Sequence, residues 1–429
     1  MLDLTKLKNI IEGLYSINRP SIIYFYITIK KITQIKKLMM KKYNVQSVVL
    51  KLSNVCNLDC KYCYVFKDKS GKYDGLRKFI SFDIYEALLD KIKEHCQQQG
   101  IEIFTIIFHG GEPLMFGLEN FKKLIALNEK KLKGTGIGIR LGLQTNGTLL
   151  NTEFADFFSA NHIQVGFSFD GYEEIHNKYR VFKNSEKGSY TAVKKGIEIY
   201  KTMQFPIDIL CVVNEDSNPS KFYEELKKIG ANSCSLLLKD ADYTDWNNAK
   251  SQLIANWLIN LFNLWFCDTA DNKPSIAPFS ILINLLLGLE RDSNDTFGRC
   301  ENTSILVLSD GQIRVTGTED ESTWGQLSSF NILQNNFSDI FKEEIFRAHY
   351  DLHLDNILCE KCKKCKIVDI CGGGRLSHRY SKENCFNNPT IYCVVMKLLT
   401  THIQNRLIDK MPVELKEKLN LKKLNSNNL

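Results

Sequence analysis

From residue 45 onward the chain alternates short apolar runs with longer stretches whose apolar positions recur at helical spacing. The apolar runs fall at 48–52, 103–108, 137–143, 163–169, 207–213 and 233–238, and the helical stretches between and after them at 81–97, 119–132, 152–159, 190–203, 220–229 and 247–266. Ser81 followed by Asp83 and Glu86, and Asn151 followed by Glu153, are helix starts, with a short polar side chain able to accept from the first free amides. The second run, Ile103-Phe-Thr-Ile-Ile-Phe108, is nearly continuous in apolar residues and suits a strand buried on both faces. Six strand–helix units in succession predict a parallel sheet covered by helices. Six are too few to close an eight-stranded barrel, and no dinucleotide fingerprint follows the first strand. The expected fold is therefore α/β: a partial (β/α)6 TIM barrel over 45–266.

The remainder of the chain does not share this rhythm. Residues 1–44 form an extension with an amphipathic helix candidate at 4–17, a β-prone run at 21–28 and a basic helical segment ending at Lys42. The β-prone run could pair with an extended peptide by strand addition. Residues 267–298 are expected to be a linker with one apolar helix at 278–290. Over 299–403 strand signals become sparse while glycine and cysteine dominate, so a metal scaffold could replace much of the apolar core. The tail, 404–429, is expected to be a helix with a frayed end.

Composition narrows the class. With 44% hydrophobic and 24% charged residues, the chain of 429 residues is an ordinary soluble globular sequence. A net charge of +7 permits an acidic partner. No Lys/Arg block alternates with aromatics, so nucleic acid is not expected as a partner. The start, Met1-Leu-Asp-Leu-Thr-Lys, lacks signal-peptide architecture, and the apolar runs at 22–27 and 281–289 are too short to span a bilayer. A cytoplasmic location and no membrane partner are expected. The 14 cysteines are clustered: Cys56, Cys60 and Cys63 lie together, seven lie from Cys300 to Cys393, and Cys96, Cys211, Cys234 and Cys267 are scattered. Clustering in a long chain fits metal binding in a reducing compartment better than a disulfide framework.

The chemistry gathers at the ends of the predicted strands. Cys56-Asn-Leu-Asp-Cys60-Lys-Tyr-Cys63 follows the first strand, and three thiolates at this spacing can converge on one iron–sulfur cubane. Three ligands for four irons leave one iron open to bind a substrate. The alternatives are a structural zinc site, for which no fourth Cys or His lies between Val45 and Gly75, or three buried thiols. Gly110-Gly111-Glu112-Pro113 follows the second strand and is expected to offer exposed backbone amides and one carboxylate; alone it reads as a tight turn. Gln144-Thr-Asn146-Gly147 and Ser168-Phe-Asp-Gly171 follow the third and fourth strands. All four would sit at the carboxyl-terminal mouth.

The Cys-x3-Cys-x-Tyr-Cys loop followed by Gly-Gly-Glu-Pro resembles the radical S-adenosylmethionine (SAM) enzymes over roughly 45–266. The resemblance implies that Cys56, Cys60 and Cys63 hold a [4Fe-4S] cluster chelated by the methionine end of SAM, whose amine would meet Gly110, Gly111 and Glu112. It implies a one-electron reductant such as flavodoxin or ferredoxin, and a 5'-deoxyadenosyl radical that abstracts a substrate hydrogen. Gln144, Asn146, Ser168 and Arg180 resemble positions near the cofactor; the plainer readings of Ser168 and Arg180 are a strand-end cap and a surface cation.

Further on, Cys362-x2-Cys365-x5-Cys371 with Cys393 resembles the SPASM module, an auxiliary-cluster domain of peptide-modifying radical enzymes. The resemblance implies one auxiliary [4Fe-4S] cluster; zinc is the alternative, since four thiolates satisfy it. Cys300, Cys359 and Cys385 could supply a second auxiliary cluster. The fullest SPASM pattern has cysteines where this chain has Thr316 and Arg375. An acid that serves as base in some relatives would fall near Gly317, which leaves Glu319, Asp320 and Glu321 as the nearby catalytic candidates. The run Cys371-Gly-Gly-Gly, His378-Arg379-Tyr380, Asn388-Pro389 and Tyr392-Cys393 resembles maturases that crosslink side chains in ribosomally made precursor peptides, including cyclophane-forming and darobactin-type enzymes. That implies a peptide substrate and a carbon–carbon or ether crosslink involving an aromatic residue. Thioether formation, epimerisation and formylglycine formation are alternative products, and a metal-stabilised binding protein is the alternative of another class. The plainer reading of His378-Arg379-Tyr380 is a cap on a metal-stapled loop.

Overall fold

The computed structural model describes residues 43–63, 65–67, 75–244, 246–247, 249–289, 296–315 and 329–426. The readings made for residues 1–42, and those for Thr316, Gly317, Glu319, Asp320 and Glu321, lie outside the described residues.

Six parallel strands lie side by side in chain order: β1 (Ser47–Ser53), β2 (Ile103–Gly110), β3 (Gly138–Thr145), β4 (Gln164–Ser168), β5 (Asp208–Val212) and β6 (Ser233–Leu237). Each expected helix follows its strand, from Phe82–Gln99 after β1 to Ala249–Cys267 after β6. Ser81 and Asn151 cap their helices as expected, accepting from Ile84 N and Phe154 N. The alternation is that of a partial (β/α) barrel. Phe104, Ile106 and Phe108 of β2 are fully buried beneath the helices, but Ile103 is 55% exposed and Thr105 and Ile107 are half-buried, so the strand is closed on one face and not on both as expected.

The sheet is wider than the six-unit pattern suggests. β7 (Ser275–Ile276) adds in parallel beside β6, while β8 (Ser304–Val307) pairs in parallel with β1 and β9 (Ile313–Val315) returns antiparallel to β8. β8 and β9 come from the cysteine-rich segment, where strands were expected to be sparse. Each is four residues or fewer, too short for periodicity to register. Pairing with β1 covers an edge that would otherwise present unpaired amides beside the first cysteine loop.

The cysteine-rich segment is joined to the barrel by packing as well as by strand pairing. The helix Cys393–Lys410 lies against Ala249–Cys267, with His402 bonded to Asn263 at 2.8 Å, and Phe337 stacks on Phe104. The described residues of 45–268 and 272–426 form one compact unit. The apolar helix expected at 278–290 spans Ala277–Leu286.

Candidate active site

Strand ends bring the predicted motifs together at one mouth. The loop bearing Cys56, Cys60 and Cys63 leaves β1 and is pinned along its length: Asp59 N donates to Val181 O at 2.8 Å, Lys61 N to Tyr179 O at 2.9 Å, and Cys63 N to Cys60 O at 3.1 Å. Two donors point at Cys56 Sγ, Leu58 N at 3.4 Å and Asn146 Nδ2 at 3.8 Å. Such donors favour sulfur ligands of an iron–sulfur cluster. Burial pushes the Cys56 thiol up to about 12, so binding a metal there must displace a proton. Burial also raises the Cys60 thiol, while the Arg180 guanidinium pulls it down.

Glu112 is fully buried and braces two strand ends. Its Oε1 accepts from Leu114 N at 2.9 Å and Thr145 Oγ1 at 2.6 Å, and its Oε2 from Asn146 N at 2.7 Å. The exposed amides expected of the Gly110-Gly111-Glu112 turn are not exposed. Gly110 N donates to His109 Nδ1, Gly111 N to Ser53 O at 2.7 Å and Glu112 N to Val55 O at 2.9 Å. The turn closes onto the backbone of the cysteine loop and consumes its own donors, leaving carbonyl oxygens as what it can present to an ammonium group. The glycines are required by that approach: a Cβ on Gly110 would stand 2.4 Å from Ser53 O, and one on Gly111 2.4 Å from Val55 O.

Gln144 and Ser168 meet across β3 and β4, Nε2 donating to Oγ at 3.0 Å. Asn146 bridges to the cysteine loop through Asn57 Oδ1 at 2.9 Å. Arg180 is not a surface cation but is only 8% exposed. It belongs to a network that sequence reasoning missed: Arg180 Nη1 donates to Tyr62 Oη at 2.8 Å, and the Tyr62 hydroxyl donates to the buried Asp170. Behind it, His176 links Asp170 N to Ser189, whose hydroxyl donates to Arg180 O at 2.9 Å. Tyr62 and Asp170 lie inside motifs already visible in the sequence. Only the fold shows that the aromatic before the third cysteine is tied to the end of β4.

At the far end of the chain, Cys362, Cys365, Cys371 and Cys393 line one pocket together with Ile367, Val368 and Met396. Four thiolates lining one pocket suit either an iron–sulfur cluster or a zinc ion. Cys359 lies beside Cys362, close enough for a thiol hydrogen bond. Cys385 is exposed near Tyr380. Arg375 sits 3.3 Å from Asp240, just past β6. Around it Tyr392 Oη donates to Lys239 O at 2.5 Å, Tyr243 Oη to Pro389 O at 2.9 Å, and the rings of Trp246 and Tyr392 pack at 4.6 Å. The four-thiol pocket is thus docked onto the loop that leaves β6 at the mouth.

Residues 50–228 match the model of the radical SAM superfamily. A cysteine-type anaerobic sulfatase-maturating enzyme of Clostridium novyi is 30% identical over 80% of this chain and 91% of its own length. The chain belongs to the radical SAM superfamily, and it is a radical SAM enzyme; SAM and a [4Fe-4S] cluster are the cofactors of that family. Among solved structures, native anSMEcpe with bound AdoMet and Kp18Cys peptide superposes with a TM-score of 0.71 at 27% identity, covering 85% of this chain and 98% of that one. Streptococcus suis SuiB bound to its precursor peptide SuiA shares the fold, with a TM-score of 0.53 at 12% identity over 84% of this chain and 77% of that one. Among the described residues no helix is long and apolar enough to cross a membrane.

Proposed function

We propose that the protein is a radical SAM peptide maturase that installs a side-chain crosslink, carbon–carbon or ether, in a ribosomally made precursor peptide. Cys56, Cys60 and Cys63 hold the cluster that binds SAM, with the carbonyls of the Gly110–Gly111 turn facing its amine and Gln144, Asn146, Ser168 and Arg180 lining its site. When bound, the pair supplies the one-electron chemistry that removes a hydrogen atom from the substrate. Cys362, Cys365, Cys371 and Cys393 hold an auxiliary cluster that takes up the surplus electron. The balance of the reaction is two hydrogens lost from the peptide for one new bond between side chains, so an electron acceptor is required.

The observation that carries this reading is the Cys371–Cys393 run. Of the residues that make it resemble crosslinking maturases, Arg379 bonds the glycine turn after Cys371, Asn388 bonds Arg379 O, and Tyr392 bonds Lys239 O in the loop after β6. A second reading, formylglycine formation in a sulfatase, is favoured by the full-length likeness to a sulfatase-maturating enzyme. One experiment separates them. The anaerobically reconstituted enzyme, SAM and a reductant are incubated with synthetic peptides that carry an aromatic residue close to aliphatic ones and, separately, with a sulfatase-derived peptide that carries the target cysteine. Crosslinking predicts loss of two hydrogens and no fragment ions between the joined residues. A hydrazide-reactive aldehyde would overturn it in favour of the second reading. Cys60→Ala should abolish 5'-deoxyadenosine release; retention would overturn both.

A further inference from the structure

Arg379 is 1% exposed, and its side chain reaches back over the turn that follows Cys371. Nε donates to Gly373 O at 3.0 Å and Gly374 O at 3.1 Å, Nη2 to Gly372 O at 3.0 Å and Gly374 O at 2.7 Å, and Nη1 to Ile357 O at 3.1 Å. Gly372, Gly373 and Gly374 have φ of 66°, 84° and 72°, three left-handed residues in succession, which aim three carbonyls at one guanidinium. Side chains are excluded from the turn: a Cβ on Gly372 would lie 1.7 Å from Gly298 O, and one on Gly373 2.8 Å from Arg379 Nη2. A planar fork of five donors can hold so many acceptors in one place, whereas an ammonium on a flexible stem cannot.

We propose that Arg379 is the positioning residue of the auxiliary cluster: its guanidinium fixes the turn that carries Cys371 and places a buried positive charge beside the thiolates. The five bonds end on four carbonyl oxygens, those of Gly372, Gly373, Gly374 and Ile357. The guanidinium borders the pocket: Gly373 lines it together with the four cysteines, and a Cβ there would lie 2.8 Å from Arg379 Nη2. A reduced cluster carries one more negative charge than an oxidised one, so a fixed cation nearby stabilises the reduced form and raises the reduction potential. Electron uptake from a peptide radical is thereby favoured. The inference rests on reading the four-thiol pocket as an iron–sulfur site.

The test uses the full chain, reconstituted anaerobically, with Cys60→Ala in every sample so that the auxiliary signal is read alone. Arg379→Gln should keep the visible iron–sulfur band while its midpoint, followed by electron paramagnetic resonance in a redox titration, moves to more negative potential. Arg379→Lys should keep a midpoint close to that of the parent yet lose iron to a chelator at least tenfold faster, the scale of lost outer-shell support. An unshifted midpoint in Arg379→Gln, or an equal shift in both variants, would overturn the electrostatic role. Release from Arg379→Lys at the parent's rate would overturn the positioning role, and that measurement decides if Arg379→Gln yields no folded chain. Cys371→Ser in the same background separates the two levels: unchanged iron content there would remove the cluster reading itself.

Discussion

Replacing Glu112 distinguishes a carboxylate that braces the mouth from one whose first task is to bind a ligand. In Glu112→Gln the single carbonyl oxygen can keep the bonds that Oε1 makes to Leu114 N and Thr145 Oγ1. The new NH2 then faces Asn146 N, donor against donor, where Oε2 accepted at 2.7 Å. Losing one charge-assisted bond and stranding one buried N–H costs about 2–3 kcal/mol. Part of this is offset because burial pushes the Glu112 carboxyl up, so a neutral amide is cheaper to keep inside than a carboxylate. A net loss of about 1–2 kcal/mol is expected. Glu112→Ala strands two backbone donors and a hydroxyl together, for a loss of about 3–6 kcal/mol. The assay is urea unfolding of the full chain without SAM, followed by tryptophan fluorescence. Unchanged midpoints in both variants, with SAM binding alone impaired, would refute the reasoning and make Glu112 a ligand contact instead of a brace.

Other outcomes follow from neighbouring contacts. Gly111→Ala drives a methyl to 2.4 Å from Val55 O, so the cysteine loop must shift; a stability loss of about 1–3 kcal/mol with reduced iron per chain is expected from unfolding and metal analysis. Tyr62→Phe takes the hydroxyl from between Asp170 and Arg180 and should cost about 1–3 kcal/mol, with an unchanged unfolding midpoint contradicting the network. Burial pushes the Glu215 carboxyl up, but the Lys239 ammonium at 2.9 Å pulls it further down, leaving it below its ordinary value. Its stabilising contribution is present above the unfolded-state value and is lost as pH falls through the depressed one. Glu215→Gln should therefore be less stable than the parent near neutral pH, by up to about 1 kcal/mol, and converge with it in acid. If the proposed crosslinking and auxiliary-cluster roles hold, Cys393→Ser lowers iron content and stops crosslink formation while 5'-deoxyadenosine release persists, as measured by chromatography.

Much of the barrel is legible in the sequence because its signals are local. The six strands lie within a residue or two of their apolar runs, since an apolar run between polar turns at this spacing has few ways to bury itself except as a covered parallel strand. Ser81 and Asn151 announce their helices because a cap is a contact between residues three apart. The spacings of Cys56, Cys60 and Cys63, and of Cys362, Cys365 and Cys371, are likewise local and visible in the chain itself, whereas Cys393 joins the second set only in the fold. What required the tertiary structure are pairings between distant residues. Ser47 and Ser304 become neighbours only when β8 closes on β1, and Asp170, Tyr62 and Arg180 meet only when the end of β4 folds beneath the cysteine loop. The sequence predicts a glutamate at the mouth, but whether that carboxylate faces a ligand or spends itself on Leu114, Thr145 and Asn146 depends on where β3 ends relative to β2. It likewise shows Arg379 only as a candidate cap, because a guanidinium's acceptors are backbone carbonyls, which every residue possesses and no residue type reveals.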